Sequence, residues 1–181
     1  DRGLVGSEMC IRDRTKAESQ SVFGVVEESS SNIAKASKKI KAIYSSSVEG
    51  LGSADLDLLK KNKKTVSKLS GEVDDLRNDL FYFIKNLEED TIKAASNFYI
   101  NMLTYLQDIS ESLEYISKIT YKHINNNHKN LTYNQIRELK EVETKCSALF
   151  DEIKFIFSKG DFSELNSCLL YTSPSPRDLY R

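Results

Sequence analysis

Proline is almost absent from this chain, and its scarcity favours a helical fold. The only two prolines, Pro174 and Pro176, lie close to the C-terminus. Proline blocks helix interiors, so the long proline-free span before them permits uninterrupted helices. Cysteine is scarce as well, and in the middle of the chain Cys146 stands alone. An intrachain disulfide is therefore excluded there, a reducing compartment fits, and we expect Cys146 to pack as a small apolar residue.

Basic surplus, long apolar runs and catalytic motifs are also missing. Acidic residues outnumber basic ones by 27 to 26, so no positive excess is available to neutralise nucleic-acid phosphates. No apolar run approaches the ~20 residues that cross a bilayer. We find no glycine-rich phosphate loop and no nucleophile motif. The two histidines, His123 and His128, would point about 140° apart on one helix, which favours surface or capping roles. We therefore expect neither an enzyme nor a nucleic-acid-binding protein.

The two ends of the chain differ from its middle and are explained by one piece of DNA. A segment that encodes residues 168–178 can also encode residues 4–13 when its opposite strand is read, and it resembles a transposon-end adapter used in preparing sequencing libraries. We therefore expect residues 1–14 and 167–181 to be artefactual flanks around a genuine domain at 15–166. Two unrelated natural tails are the alternative.

Apolar residues in the middle of the chain follow helical periodicity in four segments. The predicted helices cover 17–48, 54–86, a third segment from about residue 92, and a fourth from about residue 132. The second segment is the most regular and forms a heptad-like seam with one gap near residues 62–63. The four apolar stripes are Val22, Val26, Ile33, Ile40, Tyr44 and Val48; Leu56, Leu59, Val66, Leu69, Val73, Leu76, Leu80, Phe83 and Leu87; Ile92, Ala95, Tyr99, Met102, Leu106, Ile109, Leu113, Ile116 and Thr120; and Ile136, Leu139, Cys146, Leu149, Ile153 and Ile156.

Local sequence signals mark the ends of these helices. Gly50 and Gly52 predict the end of the first helix, and Ser53 is the predicted cap of the second. The three consecutive asparagines of "HINNNHKN" favour a turn over a helix interior. Thr132 and Gln135 have the spacing of a capping box, which predicts the start of the fourth helix.

Short links between long helices predict an all-α, antiparallel up-and-down bundle of about four helices. A single continuous coiled coil is the competing interpretation. We disfavour it because the predicted breaks interrupt it. Large side chains beside the stripes also count against a coiled coil, because they would widen the apolar faces beyond a two-residue seam. They are Phe81, Tyr82, Phe98 and Tyr115.

Paired carboxylates are the only candidates for a metal site. Asp75 and Asp79 lie four residues apart, so a helix places both on one face, where two carboxylates can share a hard cation. Asp108 and Glu111 share a face of the third helix in the same way. A solvated helix face is the simpler interpretation of both pairs.

Lysines form two clusters, one at residues 35–41 and one at residues 60–64. Because they flank the first helix–helix junction, we expect them to concentrate positive charge at one end of the bundle. Such an end could lie against an anionic membrane surface. A solvated helix face is again the alternative.

Four stretches of the chain resemble a known family: "ASKKIKAIYSSSVEGL", "DLRNDLFYFIKNLEED", "FYINMLTYLQDISESLEYISKITYKHINNNHKNL" and "QIRELKEVETKCSALFDEI". Together they resemble the cytoplasmic C-terminal region of bacterial Na+/phosphate cotransporter family proteins, which is similar to the phosphate-uptake regulator PhoU. The resemblance extends over residues 18–160 and implies a helical bundle. It also implies a membrane carrier half that moves phosphate with sodium, with the transport residues in that half.

The resemblance implies a regulatory or assembly role at the cytoplasmic face of the bacterial inner membrane, with the carrier half as partner. PhoU-like proteins often bind metal clusters through an acidic E/D-x-x-x-D motif, so divalent or iron-type metal is implied. Asp75 and Asp79 fit this motif, and Asp108 begins a second one in which Ser112 replaces the second carboxylate. The alternative function is a structural module that forms homo-oligomers through the heptad seam of residues 56–87.

Overall fold

The computed structural model describes the backbone of residues 22–85 and 90–160, with side chains for 24–85 and 97–160. These residues form four long helices: α1 (Val22–Ser53), α2 (Leu56–Lys85), α3 (Asp90–Asn125) and α4 (Tyr133–Lys159). The described ranges contain no strand, and the predicted all-α bundle is confirmed. The expected flanks at 1–14 and 167–181, and both boundaries of the 15–166 domain, lie outside the described residues. None of the described helices has a stretch long and apolar enough to span a bilayer.

Contacts between α1 and α4 show that these helices run antiparallel. Near the start of α1, the Ser30 hydroxyl donates a hydrogen bond of 2.7 Å to the carbonyl of Phe157, near the end of α4. Further along α1, the Ser45 and Ser147 hydroxyl oxygens lie 3.3 Å apart. Residue numbers therefore rise along α1 as they fall along α4, so the chain folds back on itself and is not one continuous rod.

Contacts of α2 fix the remaining directions. The Lys39 ammonium forms an ion pair of 2.6 Å with Glu72, and further along α1 the Ser46 hydroxyl donates a hydrogen bond of 3.0 Å to Asn62. Residue numbers rise along α1 as they fall along α2, so these helices are antiparallel. The Lys63 ammonium, near the start of α2, lies 5.2 Å from the centroid of the Tyr121 ring, near the end of α3. These two helices are therefore antiparallel as well. Helix α1 contacts all three others, and α4 packs mainly on α1.

One core joins the helices, and small polar residues take part in it. Its buried apolar members are Ile33, Ala34, Ala36, Ile40, Ile43, Val66, Leu69, Val73, Leu80, Ile84, Tyr99, Leu103, Leu106, Leu113, Ile156 and Phe157. Ser37 and Ser47 of α1 are fully buried and donate their hydroxyls to carbonyls one turn earlier. A serine that satisfies its hydroxyl within its own helix allows close approach of a neighbouring helix without an unpaired polar group.

Asn62 fills the gap in the seam of α2. It continues the alternation of three and four residues between Leu59 and Val66, and it is buried. Its carbonyl oxygen accepts a hydrogen bond of 3.0 Å from Ser46, and its amide lies 3.4 Å from the Ser47 hydroxyl. A buried asparagine in a heptad seam favours one helix register, because any other register would leave its amide unpaired.

Helix α1 does not stop at Gly50 and Gly52, as the sequence predicted, but continues to Ser53. Gly50 is buried, and a Cβ placed on it would lie 3.0 Å from two side-chain carbons of Leu59. The glycine is therefore needed because α2 approaches α1 closely at this point. The helix break follows two residues after the pair of glycines.

The turn between α1 and α2 uses residues that the sequence did not single out. Ala54 has a φ of +55°, and the Asp55 amide donates a hydrogen bond of 2.9 Å to the Gly50 carbonyl, which is the pattern of a Schellman motif. The Asp55 carboxylate caps α2 by accepting a hydrogen bond of 2.9 Å from the Leu58 amide. Ser53, the predicted cap, instead donates to a carbonyl of α1.

The remaining helix ends agree with the sequence. Thr132 and Gln135 form the predicted capping box at the start of α4. Helix α3 ends at Asn125, within the predicted asparagine turn, and Asn127 has a φ of +53°. The Asn127 amide bonds to the Ile124 carbonyl at 3.0 Å, completing a Schellman-type end in which asparagine replaces the usual glycine.

Several residues predicted to be apolar contacts face solvent instead. Among the predicted stripe residues, Leu56, Ile109, Ile116 and Leu149 are exposed. The side chains expected to widen the apolar faces are exposed as well: Phe81, Tyr82, Phe98 and Tyr115. For the residues on α3 the reason is the arrangement of the helices, because α4 lies on α1 and does not extend along the outer side of α3.

Candidate functional site

A cavity among the described residues lies between the first half of α1 and the last turns of α4. It is an open pocket of about 770 Å³, within the size range of small-ligand sites. Tyr99 of α3 closes one side of it. Its lining consists of Val26, Glu27, Ser30, Ser31, Ala34, Lys35, Lys38, Tyr99, Lys154, Phe157, Ser158, Lys159 and Gly160.

Lysines dominate the charge of this pocket. Lys35 and Lys38 come from α1, and Lys154 and Lys159 come from α4, against a single carboxylate, Glu27. The spacing of three residues in α1 puts its two lysines on the same helix face. Several ammonium groups around one concave surface attract an anion, and the apolar floor reduces the screening of that attraction by water. The pocket is suited to a small anionic ligand.

Aromatic contacts hold the wall of the pocket in place. The Phe157 ring stacks on Phe98 with ring centroids 6.1 Å apart and meets Tyr99 edge-on at 6.3 Å. Burial raises the pKa of the Tyr99 phenol, and a hydrogen bond with Ser30 opposes that rise. The phenol is therefore protonated at neutral pH. These contacts join α1, α3 and α4 at the pocket.

A carboxylate at the centre of the α1–α4 interface is held by hydroxyl groups. Glu143 accepts a hydrogen bond of 2.6 Å from Ser147 and another from Ser45 across the interface. These two bonds lower the pKa of the Glu143 carboxyl, and partial burial opposes them. The phenol of Tyr44 nearby has a raised pKa, chiefly from burial and secondly from the neighbouring Cys146 and Glu143. This cluster stabilises the helix pair that forms the pocket.

The predicted metal ligands Asp75, Asp79 and Asp108 are all exposed, the first two on α2 and the third on α3. Beside them, Asp74 binds Arg77 at 2.6 Å and Asn78 at 3.2 Å, so that carboxylate is already engaged. Across the residues that the structure describes, no three His, Cys, Asp or Glu side chains come together to hold an ion. A two-carboxylate site at Asp75 and Asp79 stays a prediction.

The two histidines lie closer together than the helical spacing suggested. Because α3 ends at Asn125 and the chain turns back, the His123 and His128 rings come within 5.4 Å of each other, centroid to centroid. The His123 Nε2 lies 2.9 Å from the Lys129 carbonyl oxygen. The prediction that the two rings diverge is therefore wrong. Their position near the surface agrees with the second prediction, of surface or capping roles.

The two lysine clusters do not gather at one end of the bundle. Lys35 and Lys38 line the pocket. Lys39 forms an ion pair with Glu72 of α2, and Lys41 forms one with Asp151 of α4. The cluster at residues 60–64 lies nearer the α1–α2 turn, where Asn62 bonds to Ser46 and Lys63 lies over the Tyr121 ring. The pocket was not predicted, because lysines from α1 and α4 meet only once these helices pair.

Comparisons of this chain with protein-family models, with curated proteins and with solved structures gave no match.

Proposed function

We propose that this chain is the regulatory helical domain of a Na+/phosphate cotransporter family protein, acting at the cytoplasmic face of a bacterial inner membrane. The resemblance over residues 18–160 is the basis of the proposal. The observation that supports it best is the lysine-lined pocket between α1 and α4. Four lysines around a concave, partly apolar surface suit phosphate or a small phosphate ester, the kind of ligand whose supply such a domain would report.

The proposed mechanism is docking of the bundle against the membrane carrier half, with the docked population set by phosphate. A ligand shifts such an equilibrium only if it binds the docked and free states with different affinity. The pocket meets this requirement if docking changes the separation of α1 and α4, because its four lysines are divided between these two helices. Phosphate would then favour the state in which the lysines converge.

Co-expression with the carrier half followed by pull-down tests the proposal. We expect retention of this domain to change between low and high phosphate. Combined Lys35→Glu and Lys154→Glu should abolish that response and leave the helical content unchanged, because both side chains lie at the pocket surface. Lys60→Glu with Lys64→Glu is the matched control, since both residues are exposed on α2 outside the pocket. Absence of retention at every phosphate concentration would contradict docking.

Metal binding at the acidic faces is a separate part of the proposal. Asp75 and Asp79 have the spacing of the PhoU-like motif and are exposed on one helix. Replacing both by asparagine should lower the bound divalent or iron-type metal, measured by elemental analysis of the purified protein. Unchanged metal content in the double variant would remove these two residues as ligands.

The alternative function, a structural module that forms oligomers, needs a different surface from the one that the sequence suggested. The seam of α2 is used inside the chain, where Leu59, Val66 and Val73 are completely buried. The described part of the chain leaves another heptad-spaced face uncovered, on α3.

A further inference from the structure

Helix α3 carries two apolar seams, one residue apart. The inner seam consists of Tyr99, Leu103, Leu106, Ser110, Leu113, Ser117 and Thr120. The outer seam consists of Phe98, Met102, Tyr105, Ile109, Ser112, Ile116 and Ile119. Every member of the inner seam is at most 8% exposed, whereas Tyr105 is 58% and Ile119 46% exposed.

No other described helix covers the outer seam. Helix α4 packs mainly on α1 and meets α3 through the rings of Phe157 and Phe98 near one end. From Phe98 to Ile119 the outer seam extends about 30 Å along α3, at 1.5 Å per residue. Alternating steps of four and three residues are the pattern with which one helix packs along another. The face therefore has the spacing that suits packing against a further helix.

Charges beside the outer seam identify that helix as a second α3. Asp108 lies near the middle of α3 and Lys122 in its last turn, both exposed, two heptads apart and at the same heptad position beside the outer seam. In a parallel pair, Asp108 and the partner's Lys122 would lie two heptads apart along the seam, so these opposite charges would not meet. An antiparallel pair that sets Ile109 against the partner's Ile119 brings Asp108 close to the partner's Lys122, and symmetry repeats this ion pair.

We propose that two copies of this chain form a homodimer through the outer seam, with the two α3 helices antiparallel and Asp108 paired with the partner's Lys122. Isoleucines then meet across the two-fold axis, and Ser112 packs against the partner's Ile116 as a small residue beside a large one. This inference is independent of the proposed regulatory role. A monomer in solution would overturn the dimer and leave docking to the carrier half to its own test.

Sedimentation equilibrium of the full chain tests the surface. We expect a reversible dimer. Tyr105→Glu combined with Ile119→Glu should give a monomer with unchanged helical circular dichroism, because both side chains are largely exposed. Val142→Glu is the matched control: its side chain is 51% exposed but lies on α4, away from the outer seam, so the dimer should persist. A wild-type monomer, or a dimer that survives the double substitution, would overturn the proposal.

Charge reversal tests the orientation. Asp108→Lys should weaken dimerisation about tenfold at low salt, because two attractive exposed pairs become two repulsive ones. Lys122→Asp should have a similar effect. The variant that carries both substitutions should regain wild-type affinity within a few-fold, since the ion pairs are restored with reversed polarity. Additive weakening in the double variant would exclude the antiparallel register.

Discussion

Replacing Gly50 by alanine tests the close contact between α1 and α2. Glycine in a helix interior is less favourable than alanine by about 1 kcal/mol, so a glycine with free space around it should be stabilised by the substitution. Gly71 lies in the middle of α2, and a Cβ built on it would have open space around it apart from the backbone of its own helix. Gly71→Ala should therefore stabilise the protein by about 0.5–1 kcal/mol.

At Gly50 the opposite sign is expected. The new Cβ would lie 3.0 Å from two carbons of the Leu59 side chain, which is 0% exposed and would have to shift within the core. Overpacking of this kind costs about 1–3 kcal/mol and outweighs the gain in helix propensity. The net result should be a loss of up to about 2 kcal/mol. For a chain of this size each kcal/mol lowers the melting temperature by about 2–4 °C.

Urea unfolding followed by far-ultraviolet circular dichroism measures both variants. A double-mutant cycle with Leu59→Ala then isolates the contact, because a shortened side chain at position 59 makes room for the new methyl group. The penalty of Gly50→Ala should largely disappear in that background. If Gly50→Ala stabilises the protein as much as Gly71→Ala does, or if its penalty is the same with alanine at position 59, the close contact is refuted.

Three further substitutions follow from the helix ends and the α1–α4 interface. Ala54→Gly should raise stability by about 1 kcal/mol in urea unfolding, because Ala54 has a φ of +55°. Thr132→Ala should lower stability by about 1 kcal/mol in the same assay by removing the capping box, and Thr132→Ser should retain most of it. Glu143→Gln should lower the melting temperature at neutral pH. Because hydrogen bonds lower the pKa of this carboxyl in the folded state, the stability lost in the variant should be greatest above the ordinary pKa of 4.5. The loss should shrink as pH falls through the folded-state pKa. A difference that is constant with pH would contradict this.

Local signals were sufficient to predict much of the fold. The capping box at Thr132 and the asparagine turn after α3 depend on a few neighbouring residues, and both occur where the sequence placed them. The prediction that Gly50 and Gly52 end the first helix was wrong, because glycine occurs both as a helix terminator and at sites of close packing. Only the position of Leu59 in three dimensions distinguishes these uses.

The apolar stripe of α3 was harder to predict because two seams overlap in the sequence. The predicted stripe combined Leu106 and Leu113 of the inner seam with Ile109 and Ile116 of the outer seam. Buried serines at positions 110 and 117 concealed the inner seam, since hydroxyl side chains suggest solvent. The lysine-lined pocket could not be predicted from spacing at all, because its lysines on α1 and those on α4 are more than 100 residues apart along the chain.

The pairing of α1 with α4 underlies the pocket and leaves the outer seam of α3 uncovered by the other described helices. One cross-link tests this pairing directly. The Ser45 and Ser147 hydroxyl oxygens are 3.3 Å apart, so cysteines at both positions should be close enough to form a disulfide. With Cys10, Cys146 and Cys168 replaced by serine, Ser45→Cys with Ser147→Cys should oxidise to a disulfide within one chain, seen as faster migration on a non-reducing gel. Cysteines that stay reduced, or that link only different chains, would contradict the pairing.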